Sequence, residues 1–258
     1  MSHWSKYPSI KQFLGPPLRP NEEVVEALQR RSAGHPGRAL LLGVTRSYAE
    51  CFTDLHAVDR NAAMIAEHWV GDSDNRRATL GDWFDIAPAD GPYAAVAGDL
   101  SLNMCESLER LARLLALTYD VLADGGLFFG RYFERPAVAF TEADIEAAAR
   151  GERGLNFHAF KIMIAMHLAE SRGASVPVIE TFGWFNANFP NRQALAESSG
   201  WPLEVINTID TYDGSALVYV LPSRAEICAA LPAGTRPEFH ASGTYPMADR
   251  FPIVTYVK

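Results

Sequence analysis

The sequence predicts an α/β fold: a mostly parallel sheet covered by helices on both faces, with a helical insertion in its second half. Three observations carry this. Short apolar runs end on a glycine or an acid and alternate with segments of helical periodicity, the pattern of a parallel sheet buried on both faces. The rhythm changes over residues 135–215, where helical segments follow one another. It returns near the C-terminus and closes on two strands, 238–241 and 251–257, joined by a loop through Gly243 and Pro246.

The stretch 39–59 organises the rest. Ala39-Leu40-Leu41-Leu42 reads as a strand ending on Gly43, Ser47 to Phe52 suits a short helix, and residues 55–58 form a second strand ending on Asp59. Strand, glycine turn, helix, strand, acid is the βαβ arrangement that holds an adenosine-containing ligand at the carboxyl edge of a parallel sheet. The glycine lets the backbone approach the ligand. Asp59, about sixteen residues later, stands where a carboxylate accepts both hydroxyls of a ribose.

The elements follow in order. Residues 1–19 carry Trp4, Tyr7, Phe13 and the turn Gly15-Pro16-Pro17. They read as an ordered arm that packs against the main domain or closes over the ligand through Trp4 or Tyr7. Residues 20–31 form the first helix, with Asn21 placed to cap it, Glu22 and Glu23 in its first turn, and Val24, Val25 and Leu28 on one face. Gly34, Pro36 and Gly37 break it before the first strand. After Asp59, residues 61–69 set Ala62, Ile65, Ala66 and Trp69 on a helical face. A short strand over 77–80 leads into Gly81-Asp82-Trp83, and a buried strand over 93–97 ends at Gly98-Asp99. A helix started by Ser101 or Asn103 repeats Leu108, Leu111, Leu115 and Tyr119 at three and four. Asp124-Gly125-Gly126 reads as a turn before the strand 127–129.

In the insertion, Thr141 caps a helix with Asp144 at its third position, and residues 156–172 form a second helix around Phe160, Met163, Ile164 and Leu168. Residues 182–189, with Trp184 and Phe185, read as an aromatic loop over the carboxyl edge of the sheet, and 193–199 as a short helix. A strand over 217–221 and a helix over 224–231, started by Pro222-Ser223, restore the alternation. The expected division is an arm (1–19), a core domain (20–134 and 216–258), and an insertion (135–215) that serves as a cap or as the contact of a homodimer.

With 258 residues the chain can bury a full core. Its net charge of −8 argues against a sequence-independent nucleic-acid binder, which needs a basic face to displace counterions. Lys6 and Lys11 precede no continuous apolar stretch, and no apolar run is long enough to span a bilayer, so neither a signal peptide nor a membrane partner is expected. Cys51, Cys105 and Cys228 are odd in number and far apart. They read as reduced thiols of a cytoplasmic protein rather than as a disulfide framework or zinc site.

These residues resemble the class I S-adenosylmethionine-dependent methyltransferases. The resemblance rests on Leu40-Leu41-Leu42-Gly43-Val44-Thr45, Val58-Asp59, Gly81-Asp82-Trp83, Gly98-Asp99-Leu100-Ser101, Ala123-Asp124-Gly125-Gly126-Leu127 and the closing two-strand segment. It covers most of residues 38–130 and again about 220–258. It implies a Rossmann-like three-layer sandwich on a seven-stranded sheet whose C-terminal strand is antiparallel. It also implies S-adenosyl-L-methionine as cofactor and in-line methyl transfer to a small-molecule acceptor. The first motif keeps a single glycine, with Leu42 where the family usually has an acid. Thr45 stands where a second glycine would let backbone touch a pyrophosphate, which speaks against a nicotinamide cofactor.

By the same resemblance the cofactor is held by Gly43, Val44 and Thr45 at the first strand and by Asp59, Arg60 and Met64 at the second. Asp82 and Trp83 meet the adenine, and Gly98, Asp99, Leu100 and Ser101 complete the set at the fourth strand. There Asp99 and Ser101 face the amino-acid end or the acceptor, and Asp99 binds the cofactor's ammonium, orients a substrate or caps the helix that follows. Asp99→Asn, at a strand terminus, is expected to keep the fold and to reduce turnover or cofactor affinity. No catalytic constellation stands out. The D/N-P-P-Y/F sequence tied to amino-group methylation is replaced by Gly98-Asp99-Leu100-Ser101, while His158, His167 and Tyr132 are candidate bases. No metal site is expected, since His158 and His167 lack a metal-ligand helical spacing. The alternative reading is a cofactor-binding protein without transfer activity, with the insertion as an interaction surface.

Overall fold

Nine β-strands, seven of them in one sheet, form the framework of residues 15–258, the part of the chain that the computed structural model describes. Trp4, Tyr7 and Phe13 lie outside the described residues. The strands are β1 (Ala39–Leu42), β2 (Leu55–Asp59), β3 (Arg76–Leu80), β4 (Tyr93–Asp99), β5 (Leu122–Arg131), β6 (Ser175–Pro177), β7 (Val218–Val220), β8 (Glu238–His240) and β9 (Ile253–Val257). The main sheet has the order β3-β2-β1-β4-β5-β9-β8. Its first five members are parallel, and β9, inserted between β5 and β8, runs antiparallel to both. The antiparallel C-terminal strand is thus as expected.

Register decides where the site lies. Leu42 of β1 pairs with Val58 of β2 and with Gly98 of β4, so the three strands end in one row. Gly43, Asp59 and Asp99 therefore emerge side by side, at the point where the strand order reverses between β1 and β4. Ligands bind at such a reversal because the connections leave in opposite directions and open a crevice.

Along β1 the side chains alternate between two cores. Leu40 and Leu42 face the cluster built on helices Leu108–Val121 and Arg224–Ala230, and Ala39 and Leu41 face the one built on helix Glu22–Ser32. All four are buried. Burying each leucine stabilises the fold by about 1.5–3 kcal/mol. The caps are the expected ones. Asn21 accepts from Val24 N–H (3.2 Å), and Thr141 and Asp144 form a reciprocal capping box (3.1 and 2.9 Å). Ser223 makes a second box with Glu226.

Several segments differ from expectation. Ser101–Met104 is a single 3-10 turn, and the long helix starts later, at Leu108, capped by Ser107. Asn103 is instead locked into the interior. Its amide donates to the Phe133 and Val220 carbonyls (2.8 Å each), and its oxygen accepts from Phe133 N–H (3.0 Å). Asp124-Gly125-Gly126 falls inside β5, at a register shift against β4. The strand near 218 pairs with β6 in a separate two-stranded sheet, outside the main sheet.

The insertion packs around helix Phe157–Arg172, in which residues 157–166 are all buried. A helix apolar on all sides requires neighbours on all sides. One of them is Val178–Asn188, a helix where an aromatic loop was expected. Tertiary packing outweighs the weak helix propensity of its aromatics and asparagines. Phe185 is fully buried and meets Phe157 edge-on (ring centroids 5.6 Å), while Trp184 leans on His167 (5.6 Å). Neither lines the cavity at the carboxyl edge, where an aromatic cover was expected; both pack in a core cluster that also holds Leu100, Phe133 and Phe251. Among the described residues no helix is long and apolar enough to cross a membrane.

Candidate functional site

A cavity of about 460 Å³ opens at the carboxyl ends of β1 to β4, within the size range of small-ligand sites. Gly43 forms its floor. The residue has φ +96°, a conformation side chains rarely adopt, and a methyl group there would come within 3.7 Å of Asp59 Oδ2 and 3.9 Å of Trp83. A tight left-handed turn thus brings bare backbone up to a carboxylate and an indole.

Asp59 is half-buried at the end of β2, where one oxygen accepts from Asn61 N–H (2.8 Å). Burial pushes its carboxyl pKa above the ordinary value, against the pull of that hydrogen bond and of Arg60. Trp83 is held by its indole N–H, which donates to the Val58 carbonyl (2.7 Å). Asp82 accepts from Phe84 N–H (3.0 Å) and caps the short 3-10 turn that carries Trp83. Met64 lines the cavity and packs on the neighbouring core, and Arg60 reaches Glu106 (3.6 Å). Val44 is buried, and the Thr45 carbonyl accepts from Tyr48 and Ala49 N–H, starting the short helix Arg46–Ala49.

The turn after β4 is the tightest part. Leu100 adopts φ +58°, unusual for leucine, with its N–H bound to the Arg131 carbonyl (2.8 Å). A left-handed non-glycine residue costs about 1–3 kcal/mol, and the turn uses it to fold Ser101 back over Gly98. A side chain on Gly98 would overlap Ser101. Gly98 therefore supports the turn from behind, and it alone of the residues nominated for the cofactor does not line the cavity. Ser101 Oγ is buried and has no hydrogen-bond partner among the described residues, and Ser101 lines the cavity.

Asp99 is more enclosed than a strand terminus implies. Its carboxylate takes two hydrogen bonds from Arg131, from Nε (2.6 Å) and Nη2 (3.1 Å), and the pair is 5 % and 0 % exposed. Burial works against the Arg131 charge, but Asp99 more than offsets it, so the guanidinium pKa lies above its ordinary value.

The far wall escaped sequence reading. Lys161, Thr211, Tyr212 and Tyr219 line it, and Leu18, Arg19 and Pro20 reach the cavity from the chain's beginning. A visible signal existed for Lys161, a lone cation within the apolar run Phe157 to Met166. Burial pushes its pKa down to about 7. The nominated bases stand elsewhere: His158, His167 and Tyr132 do not line the cavity, and His167 Nδ1 is hydrogen-bonded to the Phe140 carbonyl (2.6 Å). Among the described residues no group of three histidine, cysteine or acidic side chains is placed to hold a metal.

S-adenosylmethionine fits this set of groups. A carboxylate faces a glycine floor, an indole edge lies beside them, and an unpartnered buried hydroxyl stands at the fourth strand. No protein-family model matches the sequence, and no curated protein matches it. Solved structures do. The CcbJ methyltransferase from Streptomyces caelestis is 13% identical, with 99% of this chain and 97% of that one covered and a TM-score of 0.55. The sugar N-methyltransferase KedS8 from a Streptoalloteichus species is 14% identical over 98% and 92% of the chains, also at 0.55. The SAM-bound amino pentose methyltransferase CalS10 from Micromonospora echinaspora is 13% identical over 98% and 96%, again at 0.55. At these identities the likeness is one of fold.

Proposed function

We propose that this chain, whose fold is that of the class I S-adenosylmethionine-dependent methyltransferases, binds S-adenosylmethionine and transfers its methyl group to a small-molecule acceptor. The observation that carries the reading is the meeting of Gly43, Asp59 and Trp83 within one cavity at the strand-order reversal. Asp59 is the ribose ligand, accepting from both hydroxyls. Trp83 lies along the adenine, Met64 lines the same cavity, and Asp82 holds the turn that presents the indole. Asp99, Leu100 and Ser101 shape the amino-acid end, where Ser101 Oγ gains a partner that it lacks among the described residues.

When bound, the cofactor supplies an electrophilic methyl group on a sulfonium. The chain's part is to position, since in-line transfer depends on holding a nucleophile in contact with that methyl. The wall formed by Lys161, Tyr212 and Tyr219 excludes water from the reacting side and leaves room for an acceptor with an apolar body. The similar enzymes named above act on sugars in two cases, and a compact natural-product or sugar acceptor suits the cavity's size. Three free thiols, Cys51, Cys105 and Cys228, suit a reducing, cytoplasmic setting.

Calorimetric titration with S-adenosylmethionine and with NAD tests the cofactor. The expected result is binding of the first and not the second; tight binding of NAD alone overturns the reading. Release of S-adenosylhomocysteine on a panel of small hydroxyl and amine acceptors then tests transfer. Binding without turnover on a broad panel favours the non-transferring alternative.

A further inference from the structure

Lys161 stands in the cavity without a counter-ion among the described residues. It projects from the buried helix Phe157–Arg172, is 2 % exposed, and lines the cavity together with Tyr212 and Tyr219. Its nitrogen lies 4.9 Å from the centre of the Tyr212 ring. It makes no hydrogen bond or ion pair with any described residue. Burying a cation in this way is costly unless the group can shed its charge.

Charged groups face this cavity from every wall. Asp59 and Asp82 stand at the ends of β2 and β3, and Asp99, at the end of β4, is bound to Arg131. Arg46 with Glu50, and Arg60 with Glu106, form ion pairs at the exposed rim. Arg19 and His68 line the cavity too, and His158 lies on the same helix as Lys161. The phenols of Tyr212 and Tyr219 are hydrogen-bonded to each other (3.0 Å). None of these offsets the burial, which alone sets the amine's pKa at about 7.

Resting on the cofactor reading above, we propose that Lys161 is the proton-accepting residue of the acceptor site, kept neutral in the loaded protein by the cofactor's positive charge. The acceptor is then a molecule that carries its proton on oxygen or nitrogen, beside an apolar or aromatic body that fits against Tyr212 and Tyr219. In the transfer step the acceptor's heteroatom bonds to the methyl carbon, and the carbon–sulfur pair leaves with sulfur as a thioether. The acceptor's proton passes to Lys161 Nζ. One positive charge enters the step on the sulfonium and one leaves it on the lysine. An ammonium with a pKa near 7 then returns its proton to water at neutral pH, which restores the base. A lysine that merely anchored an anionic acceptor would have to stay charged, and experiment separates the two.

The test uses two ligands that differ by one charge, S-adenosylmethionine and S-adenosylhomocysteine, titrated calorimetrically from about pH 5.5 to 8 into the wild type, Lys161→Met and Lys161→Arg. If the sulfonium lowers the Lys161 pKa by about one unit, the wild-type preference for S-adenosylmethionine rises about tenfold across this range. Lys161→Met retains the ligand's own titration, so the difference between the two proteins belongs to Lys161. Its preference is expected to stay high and lack that rise, and Lys161→Arg, charged throughout, to stay low and flat. Buffers of different ionisation heat should show extra proton release from the wild type near pH 7 with S-adenosylmethionine alone. Matching pH profiles in wild type and Lys161→Met overturn the proposal while leaving cofactor binding intact. Should Lys161→Met fail to fold, a wild-type rise absent from Lys161→Arg supports it, and matching profiles in those two overturn it. Absence of binding by either ligand to the wild type overturns the cofactor reading itself.

Discussion

Asp99 and Arg131 lie side by side at the carboxyl ends of β4 and β5 and form a two-pronged ion pair, 2.6 and 3.1 Å, almost wholly removed from water. Arg131 passes a third hydrogen bond to the Tyr245 hydroxyl (3.0 Å), which in turn contacts Ser242 (2.6 Å). The pair therefore ties the floor of the cavity to the segment before β9.

Removing one partner leaves a buried charge uncompensated. Asp99→Ala is expected to destabilise the protein by about 3–5 kcal/mol, read as a lower urea midpoint. Replacing both partners, Asp99→Leu with Arg131→Met, should recover much of that loss. A lone Asp99→Ala variant as stable as the wild type would show that the pair contributes little.

Asp59→Ala is expected to weaken S-adenosylmethionine binding about ten- to a hundredfold, since charge-assisted hydrogen bonds contribute about 1.5–3 kcal/mol and 1.4 kcal/mol is a decade. Isothermal titration against the wild type measures it. Equal affinities would remove the ribose assignment.

The same residue gives a pH-dependent stability. Its folded pKa is raised by burial, so between the unfolded and folded values the folded state holds more protons. Any stability from this group is present at low pH and is lost as pH rises through the folded pKa. Asp59→Asn should therefore gain in melting temperature relative to wild type on going from pH 3 to pH 7 without ligand. A relative loss over that range, followed by calorimetry, would contradict the burial argument.

Gly43→Ala places a methyl group on a φ +96° backbone facing Asp59 and Trp83. Strain of about 1–2 kcal/mol is expected in the ligand-free protein, with a further loss of cofactor affinity of about tenfold or more, or 1.4 kcal/mol. Thermal melts with and without S-adenosylmethionine separate the two. A variant with an unchanged ligand-induced shift would show that the ligand does not approach this backbone.

Burial pushes the Cys51 thiol up to about 11 and the Cys105 thiol up to about 12, while Cys228 is exposed. Thiolates carry the reactivity, so iodoacetamide at neutral pH should modify Cys228 first and the other two after unfolding. Peptide mapping by mass spectrometry checks the order.

The alternation of apolar runs and helical faces was legible because it is local. Strand ends, the Asn21 cap and the Thr141–Asp144 box each involve residues within a few positions of one another, and the glycine-then-acid spacing of Gly43 and Asp59 spans one βαβ unit. The resemblance carried by those residues also led to the fold. It led, too, to a set of strand-end residues that the fold brings to one cavity, apart from Gly98, whose role is to make room for Ser101.

What the tertiary structure alone decided are relations across long separations and the loss of water. Arg131 stands 32 residues from Asp99, and Asn103 binds a carbonyl 117 residues away; no local pattern announces either contact. Helix Val178–Asn188 forms because its aromatics find a core, against their own weak propensity. By itself the sequence determined the alternation of strands and helices and the carboxyl ends of β1, β2 and β4 with the groups along them, because backbone periodicity and short-range capping are written into neighbouring residues. Whether a given charge keeps its proton, as at Lys161 and Asp59, was decided by folding, because a side chain's titration depends on how much water the rest of the chain leaves around it.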